Sequence, residues 1–301
     1  MKAWLKTNRK SVLRWGGTIL SVALLAVLFY QFREDVLGAL QHVTLANLLL
    51  AFGCIFLSRL MTVARWHVLL RSGGIDIPLS QTVSLTFTGL FASNFLPTTI
   101  GGDVVRLAGA MQMGYDRAVC LASIAADRLI NMAGMSFAAP IGIYQLVQLS
   151  PLQAFALAGL PKKSWDFVRR TLTSLTVWIK QPIALLKALG FAWANLLLVV
   201  AAYYFLIQGM GAFLPYWKLI GLVSLAYFIT LVPISINGYG LHELSITFLF
   251  SQIGGVSIGV CAVVVVLQRL LMMLASLPGA ITLPGVLAKM DGGEQPAGKP
   301  L

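Results

Sequence analysis

Long apolar runs recur along the whole chain and restrict the folds that it can adopt. Seven of them are separated by short polar or basic segments, at residues 16–32, 45–57, 79–96, 119–143, 183–207, 217–236 and 256–287. Crossing a bilayer takes about 20 residues of helix, and most of the runs reach that length with their flanks. Charged residues make up only 11% of the chain, against roughly 25% in a soluble domain. The sequence therefore predicts an all-α, polytopic membrane protein with about seven transmembrane helices.

The positions of the basic residues predict the topology. We expect an integral plasma (inner) membrane protein whose N-terminus lies in the cytoplasm, because five basic residues precede the first run. They are Lys2, Lys6, Arg9, Lys10 and Arg14. Three arginines after the second run are expected to mark its cytoplasmic end: Arg59, Arg65 and Arg71. Because such charges flank membrane spans and attract anionic headgroups, the net charge of +12 favours membrane lipids as partners and excludes nucleic acid.

Composition along the chain predicts one integral membrane domain, residues 1–288, in two halves at about 45–147 and 183–288. Between them, residues 150–182 form a basic, amphipathic linker that we expect in the cytoplasm. The linker either lies as a helix in the headgroup plane or packs on the cytoplasmic ends of the spans. The tail at 289–301 is rich in Gly and Pro and is expected to be disordered.

Two similar motifs interrupt the apolar runs and indicate an internal repeat. The segment "LPTTIGGDVVR" begins at Leu96, and its partner "VPISINGYGLHE" covers residues 232–243. A second match pairs "DRLINMAG" with "QRLLMMLAS" at nearly the same offset, 269 − 128 = 141 against 233 − 97 = 136. Seven residues are predicted to break helices in these motifs: Pro97, Gly101, Gly102, Pro233, Asn237, Gly238 and Gly240.

The predicted topology places the first motif toward the outside and the second toward the cytoplasm, which makes the repeat inverted. The stretches after the breaks, 103–113 and 241–253, are too short to cross a bilayer. We therefore predict two short re-entrant half-helices. Paired interruptions of this kind are the best sequence indication of a transporter's binding site near the midplane.

Six charged residues lie in or beside these motifs, where each needs a partner or water because a central charge costs on the order of 3 kcal/mol. They are the predicted lipid-binding residues: Asp103, Arg106, Asp127, Arg128, Glu243 and Arg269. Asp103 is expected to cap a helix or to pair with Arg106 three residues on. Neighbours in a helix do not face each other, so Asp127 and Arg128 must have separate partners. The arginines are predicted to meet phosphate in a polar cavity; the alternative is an ion network with a purely structural role.

The sequence offers little support for catalysis. Its three histidines and three cysteines have no metal-ligand spacing, and no nucleophile or phosphate-loop motif is present. We expect no metal and no cofactor. A metal-independent transferase that uses Asp103, Asp127 or Glu243 as a base stays open.

Several of these motifs together resemble the lysylphosphatidylglycerol synthase transmembrane-region family. They are "RW" at 65–66, "SNFLPTTIGGDVVR" at 93–106, "ADR" at 126–128, "PISINGYGLHE" at 233–243 and "PG" at 278–279. The family includes the flippase portion of the multiple peptide resistance factors. The resemblance implies a lipid-handling membrane domain associated with moving lipids between leaflets. Only a short tail follows the membrane part, so we do not expect this chain to make lysyl-phosphatidylglycerol.

Three functions follow from these patterns. The first is a flippase-like translocator for an anionic or isoprenoid-linked lipid, driven downhill or by an ion gradient or membrane potential. The second is a membrane-embedded transferase or an accessory subunit that works with enzymes of lipid or glycan assembly. The third is a structural or partner-binding membrane protein whose charges form an internal ion network.

Overall fold

The computed structural model describes Val27, Tyr30 and residues 33–96, 100–147, 181–231 and 240–283. Nine helices of ten or more residues account for most of this part of the chain. They are α1 (Arg33–His42), α2 (Leu45–Ser72), α3 (Leu79–Ser93), α4 (Gly101–Gln112), α5 (Arg117–Val147), α6 (Pro182–Gly209), α7 (Tyr216–Thr230), α8 (Leu241–Gln252) and α9 (Ile258–Ser276). The described ranges contain no strand. The predicted all-α class is therefore confirmed.

Four helices are long and apolar enough to cross a membrane: α2, α5, α6 and α9. The apolar helix α7 is shorter. These spans confirm a polytopic integral membrane protein. The first predicted span at 16–32, the linker at 150–182 and the tail at 289–301 lie wholly or almost wholly outside the described residues. The total of about seven spans stays a prediction.

The order and length of the helices repeat along the chain. Helices α2 to α5 have 28, 15, 12 and 31 residues, and α6 to α9 have 28, 15, 12 and 19. Their starting residues are offset by 137 (45 to 182, and 79 to 216), by 140 (101 to 241) and by 141 (117 to 258).

The turns between these helices repeat as well. Pro78 and Pro215 are the N-caps of α3 and α7. Left-handed glycines follow α2 and α6 at Gly74 and Gly211. A further pair of left-handed glycines follows α4 and α8, at positions 114 and 255. Glycine suits these positions because a side chain disfavours positive φ.

The equivalent helices α2 and α6 pack side by side and form the largest helix–helix contact. At one end, the Gln181 side-chain amide donates to the carbonyl of Ser72 over 2.8 Å. At the other end, Gly209 packs against Asn47. Helices α2 and α6 therefore run in opposite directions through the bundle.

Two predicted breakers, Gly101 and Gly102, are the first residues of α4 and not part of the break before it. A Cβ atom at position 102 would lie 2.4 Å from the carbonyl oxygen of Gly89 in α3. Gly102 therefore lets α3 and α4 approach closely, which is a packing role, while a Cβ at position 101 would meet the Leu96 side chain. Gly240 has φ of +78° immediately before α8. Four predicted breakers lie outside the described residues: Pro97, Pro233, Asn237 and Gly238.

Apolar side chains fill the space on both sides of the α2–α6 pair. The larger core lies among α2 and α5 to α9 and includes Tyr203 and Phe250. A second core lies among α2 to α5 and includes Trp66 and Leu85. The buried charges lie beside these cores, where water cannot compensate them.

Candidate functional site

Asp127 of α5 is the centre of an ion cluster in the first half. Its Oδ1 accepts from Arg65 Nε over 2.6 Å, and its Oδ2 lies 3.4 Å from Arg106 Nη1. Asp127, Arg65 and Arg106 are 4%, 4% and 6% exposed. One carboxylate thus joins arginines from α2 and α4 inside the bundle.

Asp103 adds a second carboxylate to this cluster. It is the third residue of α4, and Ile100 occupies the N-cap position, so the prediction that Asp103 caps the helix is wrong. Its Oδ1 accepts from Arg106 Nη1 over 3.1 Å, and its Oδ2 accepts from Arg128 Nε. The alternative, an ion pair between Asp103 and Arg106, is therefore observed. Arg128 also pairs with the same carboxylate.

An aromatic ring fixes the guanidinium of Arg106. The carbon Cζ of Arg106 lies 4.0 Å from the ring centre of Trp66, a cation–π distance. The Trp66 indole donates to Ser123 Oγ over 3.1 Å. The Nε and Nη2 atoms of Arg106 are buried without a hydrogen-bond partner.

The cluster also reaches the second half of the chain. Arg65 Nη1 donates to Asn131 Oδ1 over 2.8 Å. The side chain of Asn131 lies near Tyr227 of α7, a helix that packs on α5. Through Asn131, α2 and α5 of the first half are linked to a helix of the second.

The second half contains a smaller charged group around Glu243. Its Oε1 accepts from Arg269 Nε over 2.6 Å, and its Oε2 accepts from the backbone N–H of Gly240 over 2.7 Å. The neighbouring His242 places Nε2 3.2 Å from the hydroxyl of Tyr203. Glu243 therefore holds the start of α8 and an arginine of α9 together.

The two halves place one carboxylate–arginine pair at matching positions. Asp103 and Glu243 are each the third residue of a 12-residue helix. Arg128 and Arg269 are each the twelfth residue of the long helix that follows. The predicted site residues thus form one cluster of four and one pair. Asp127 and Arg128 have different partners, as neighbours on a helix must.

Sequence reasoning missed two arginines of the interior, Arg59 and Arg65. Both were assigned to the cytoplasmic end of a short second span. Helix α2 continues to Ser72, so Arg59 is its fifteenth residue of 28 and Arg65 is buried against Asp127. Of the three arginines assigned there, only Arg71 lies in the last turn. The apolar residues that continue at helical spacing past Arg59 were the sequence signal that the second span extends beyond this arginine.

An all-α bundle with several apolar spans and buried ion pairs defines a polytopic integral membrane protein. Residues 14–160 match the family described as the lysylphosphatidylglycerol synthase TM region. This match covers just under half of the chain and supports the resemblance seen in the sequence, which relates the protein to membrane lipids. The comparison with curated proteins gave no match. The motifs at 233–243 and 278–279 lie beyond the matched residues.

The described part of the chain holds no group of three His, Cys, Asp or Glu residues that could bind a metal ion. Cys120 and Cys261 are buried and Cys54 is partly buried, all three as free thiols. The expectation of no metal and no cofactor remains an expectation. What the arrangement offers chemically is a set of guanidinium groups paired with carboxylates at membrane depth.

Proposed function

We propose that this protein is a lipid translocator that moves an anionic or isoprenoid-linked lipid between leaflets of the plasma (inner) membrane. The observation that carries the proposal is the carboxylate–arginine pair at matching positions in the two halves. The proposed path is a polar cavity that these pairs line. Membrane lipids are its partners, and lipid- or glycan-assembly enzymes would supply or use them.

Partner exchange explains how such a pair would help a headgroup cross. A phosphate in hydrocarbon is costly unless it meets a cation. Arg128 and Arg269 are held by carboxylates in the resting arrangement. Each arginine can transfer its hydrogen bonds from carboxylate to phosphate and back, so that neither ion is left bare. Arg128 has a side chain 42% exposed, so a lipid can reach it.

The helix arrangement supports the inverted repeat that we propose for the two halves. Transporters of this kind hold substrate between repeats, beside helices that end inside the membrane. The antiparallel course of α2 and α6 and the 12-residue helices α4 and α8 fit that description. At about 1.5 Å per residue, a helix of this length covers only part of the hydrocarbon thickness.

The proposal is tested with the purified full chain in liposomes. Labelled anionic, zwitterionic and aminoacylated phospholipids and a labelled isoprenoid phosphate are followed between leaflets, with protein-free liposomes as the control. We expect faster movement of at least one anionic or isoprenoid lipid than in the control. Folded protein that moves none of them would contradict the proposal. Lipid products detected by mass spectrometry in the same vesicles would instead support the transferase alternative.

A further inference from the structure

The two halves differ in what surrounds the matching pairs. In the first half, Asp127 directly precedes Arg128 and is neutralised by Arg65 and Arg106. The offset of 141 residues between α5 and α9 places Gln268 at the position of Asp127. A neutral amide thus replaces the central carboxylate of the first-half cluster.

The guanidinium groups around that position are missing as well. The offset of 137 puts Ala202 where the first half has Arg65, and the offset of 140 puts Ile246 where it has Arg106. Gln268 is 1% exposed, and both polar atoms of its amide lack a hydrogen-bond partner. The hydroxyl of Thr247, one turn beyond Glu243, is also buried without a partner.

Arg59 brings an additional positive charge to this region. It lies at the midpoint of α2, which packs on α9, and it is within electrostatic range of Arg269. Its Nε atom is buried without a hydrogen-bond partner. Every arginine of the first-half cluster contacts a carboxylate. Arg59 forms no ion pair with any carboxylate of the described residues, although a buried cation needs one.

We propose that the second half contains a binding site for one phosphate oxyanion between α2 and α9. Arg59 and Arg269 supply the positive charge, and Gln268 supplies a neutral hydrogen-bond donor. Glu243 balances one of the two cations and leaves a net charge of about one, which suits a singly charged phosphodiester. That the phosphate belongs to a lipid rests on the proposed function. Asp127 with Arg65 and Arg106 then serves mainly to hold the helices together, and Arg128 remains on the proposed path.

The test measures lipid binding and needs no movement across the bilayer. The purified full chain is titrated with phosphatidylglycerol, and in parallel with diacylglycerol, which has no phosphate, by native mass spectrometry. We expect Arg59→Gln to weaken phosphatidylglycerol binding by at least about tenfold, the loss of one charge-assisted hydrogen bond, and to leave diacylglycerol binding unchanged. Arg59→Lys should restore part of the affinity. Arg71→Gln, on an exposed turn of the same helix, is the matched control and should bind as the wild type does.

A second variant keeps the test decisive if Arg59→Gln does not fold. Gln268→Met replaces an unpartnered buried amide with an apolar side chain of similar size, so the fold should be retained while phosphatidylglycerol binding falls. Folded variants that bind phosphatidylglycerol as tightly as the wild type would overturn the site. Displacement of the lipid by inorganic phosphate would overturn the lipid assignment. A wild type that binds phosphatidylglycerol but moves no lipid would refute only the proposed function.

Discussion

Asp127 is a buried carboxylate that contacts two buried arginines. It faces Arg65 and Arg106 in an environment closed to water. Taking ions out of water is expensive, and attraction between them returns that cost only while both partners are present. Removing the carboxylate leaves Arg65 without a counter-ion and Arg106 with Asp103 alone. The cluster is therefore sensitive to the loss of this one charge.

Asp127→Asn keeps the shape of the side chain and removes its charge. We expect it to lower the free energy of unfolding in detergent by about 3 kcal/mol or more, because the buried Arg65 loses its counter-ion and Arg106 keeps only Asp103. Asp116→Asn, on an exposed turn where the side chain accepts from the Val119 N–H, is the control and should change stability little. Equal melting temperatures for the two variants would contradict the structural importance of the cluster.

For single residues, the sequence predicted that the buried charges need partners but not which residues those partners are. Helix geometry required separate partners for Asp127 and Arg128, and that requirement is met. The partner Arg65 lies 62 residues away, a contact that only packing reveals. Arg59 was missed because, in sequence, a charged residue inside an apolar run looks like the end of that run.

The close approach of α3 and α4 depends on glycine at the crossing. An added Cβ at position 102 would lie 2.0 Å from Ser93 Oγ and 2.4 Å from the Gly89 carbonyl. The lengths of the short helices were predictable from the motifs: 103–113 was expected against Gly101–Gln112, and 241–253 against Leu241–Gln252. The packing role of Gly102 was not predictable, because a glycine at a close helix crossing and a glycine at a helix break look the same in sequence.

Gly102→Ala should therefore destabilise the protein by about 1 to 3 kcal/mol through overpacking. Gly53→Ala is the matched control, because a Cβ at that position in α2 meets nothing within 4 Å. Alanine favours helix over glycine by about 1 kcal/mol, so the control should be neutral or more stable. Thermal melting in detergent measures both variants. A stabilised Gly102→Ala would contradict the close crossing.

The two halves share one order of helices, and α2 and α6 run in opposite directions, as the proposed inverted repeat requires. The loops after α2 and α6 lie at opposite ends of the α2–α6 pair. Apolar runs and paired motifs predicted the duplication. The residues between the halves lie outside the described ranges, so the membrane sidedness of each half must be measured.

Single cysteines measure that sidedness. In a chain whose three native cysteines are replaced by alanine, Asp76→Cys reports on the loop after α2 and Phe213→Cys on the loop after α6; both side chains are exposed. With a cytoplasmic N-terminus, an impermeant thiol reagent should label Phe213→Cys from outside and Asp76→Cys only after permeabilisation. Labelling of both from the same side would contradict the inverted repeat.

The most direct test of the central claim is lipid movement by wild type, Arg128→Ala and Arg269→Ala in matched proteoliposomes. A fluorescent anionic phospholipid is bleached from outside, and the fraction that becomes accessible from the inner leaflet is followed in time. We expect fast movement with wild type and at least about tenfold slower movement with each folded variant, since each loses a charge-assisted contact. Variants that move lipid at the wild-type rate would contradict the claim that the matching pairs line the path.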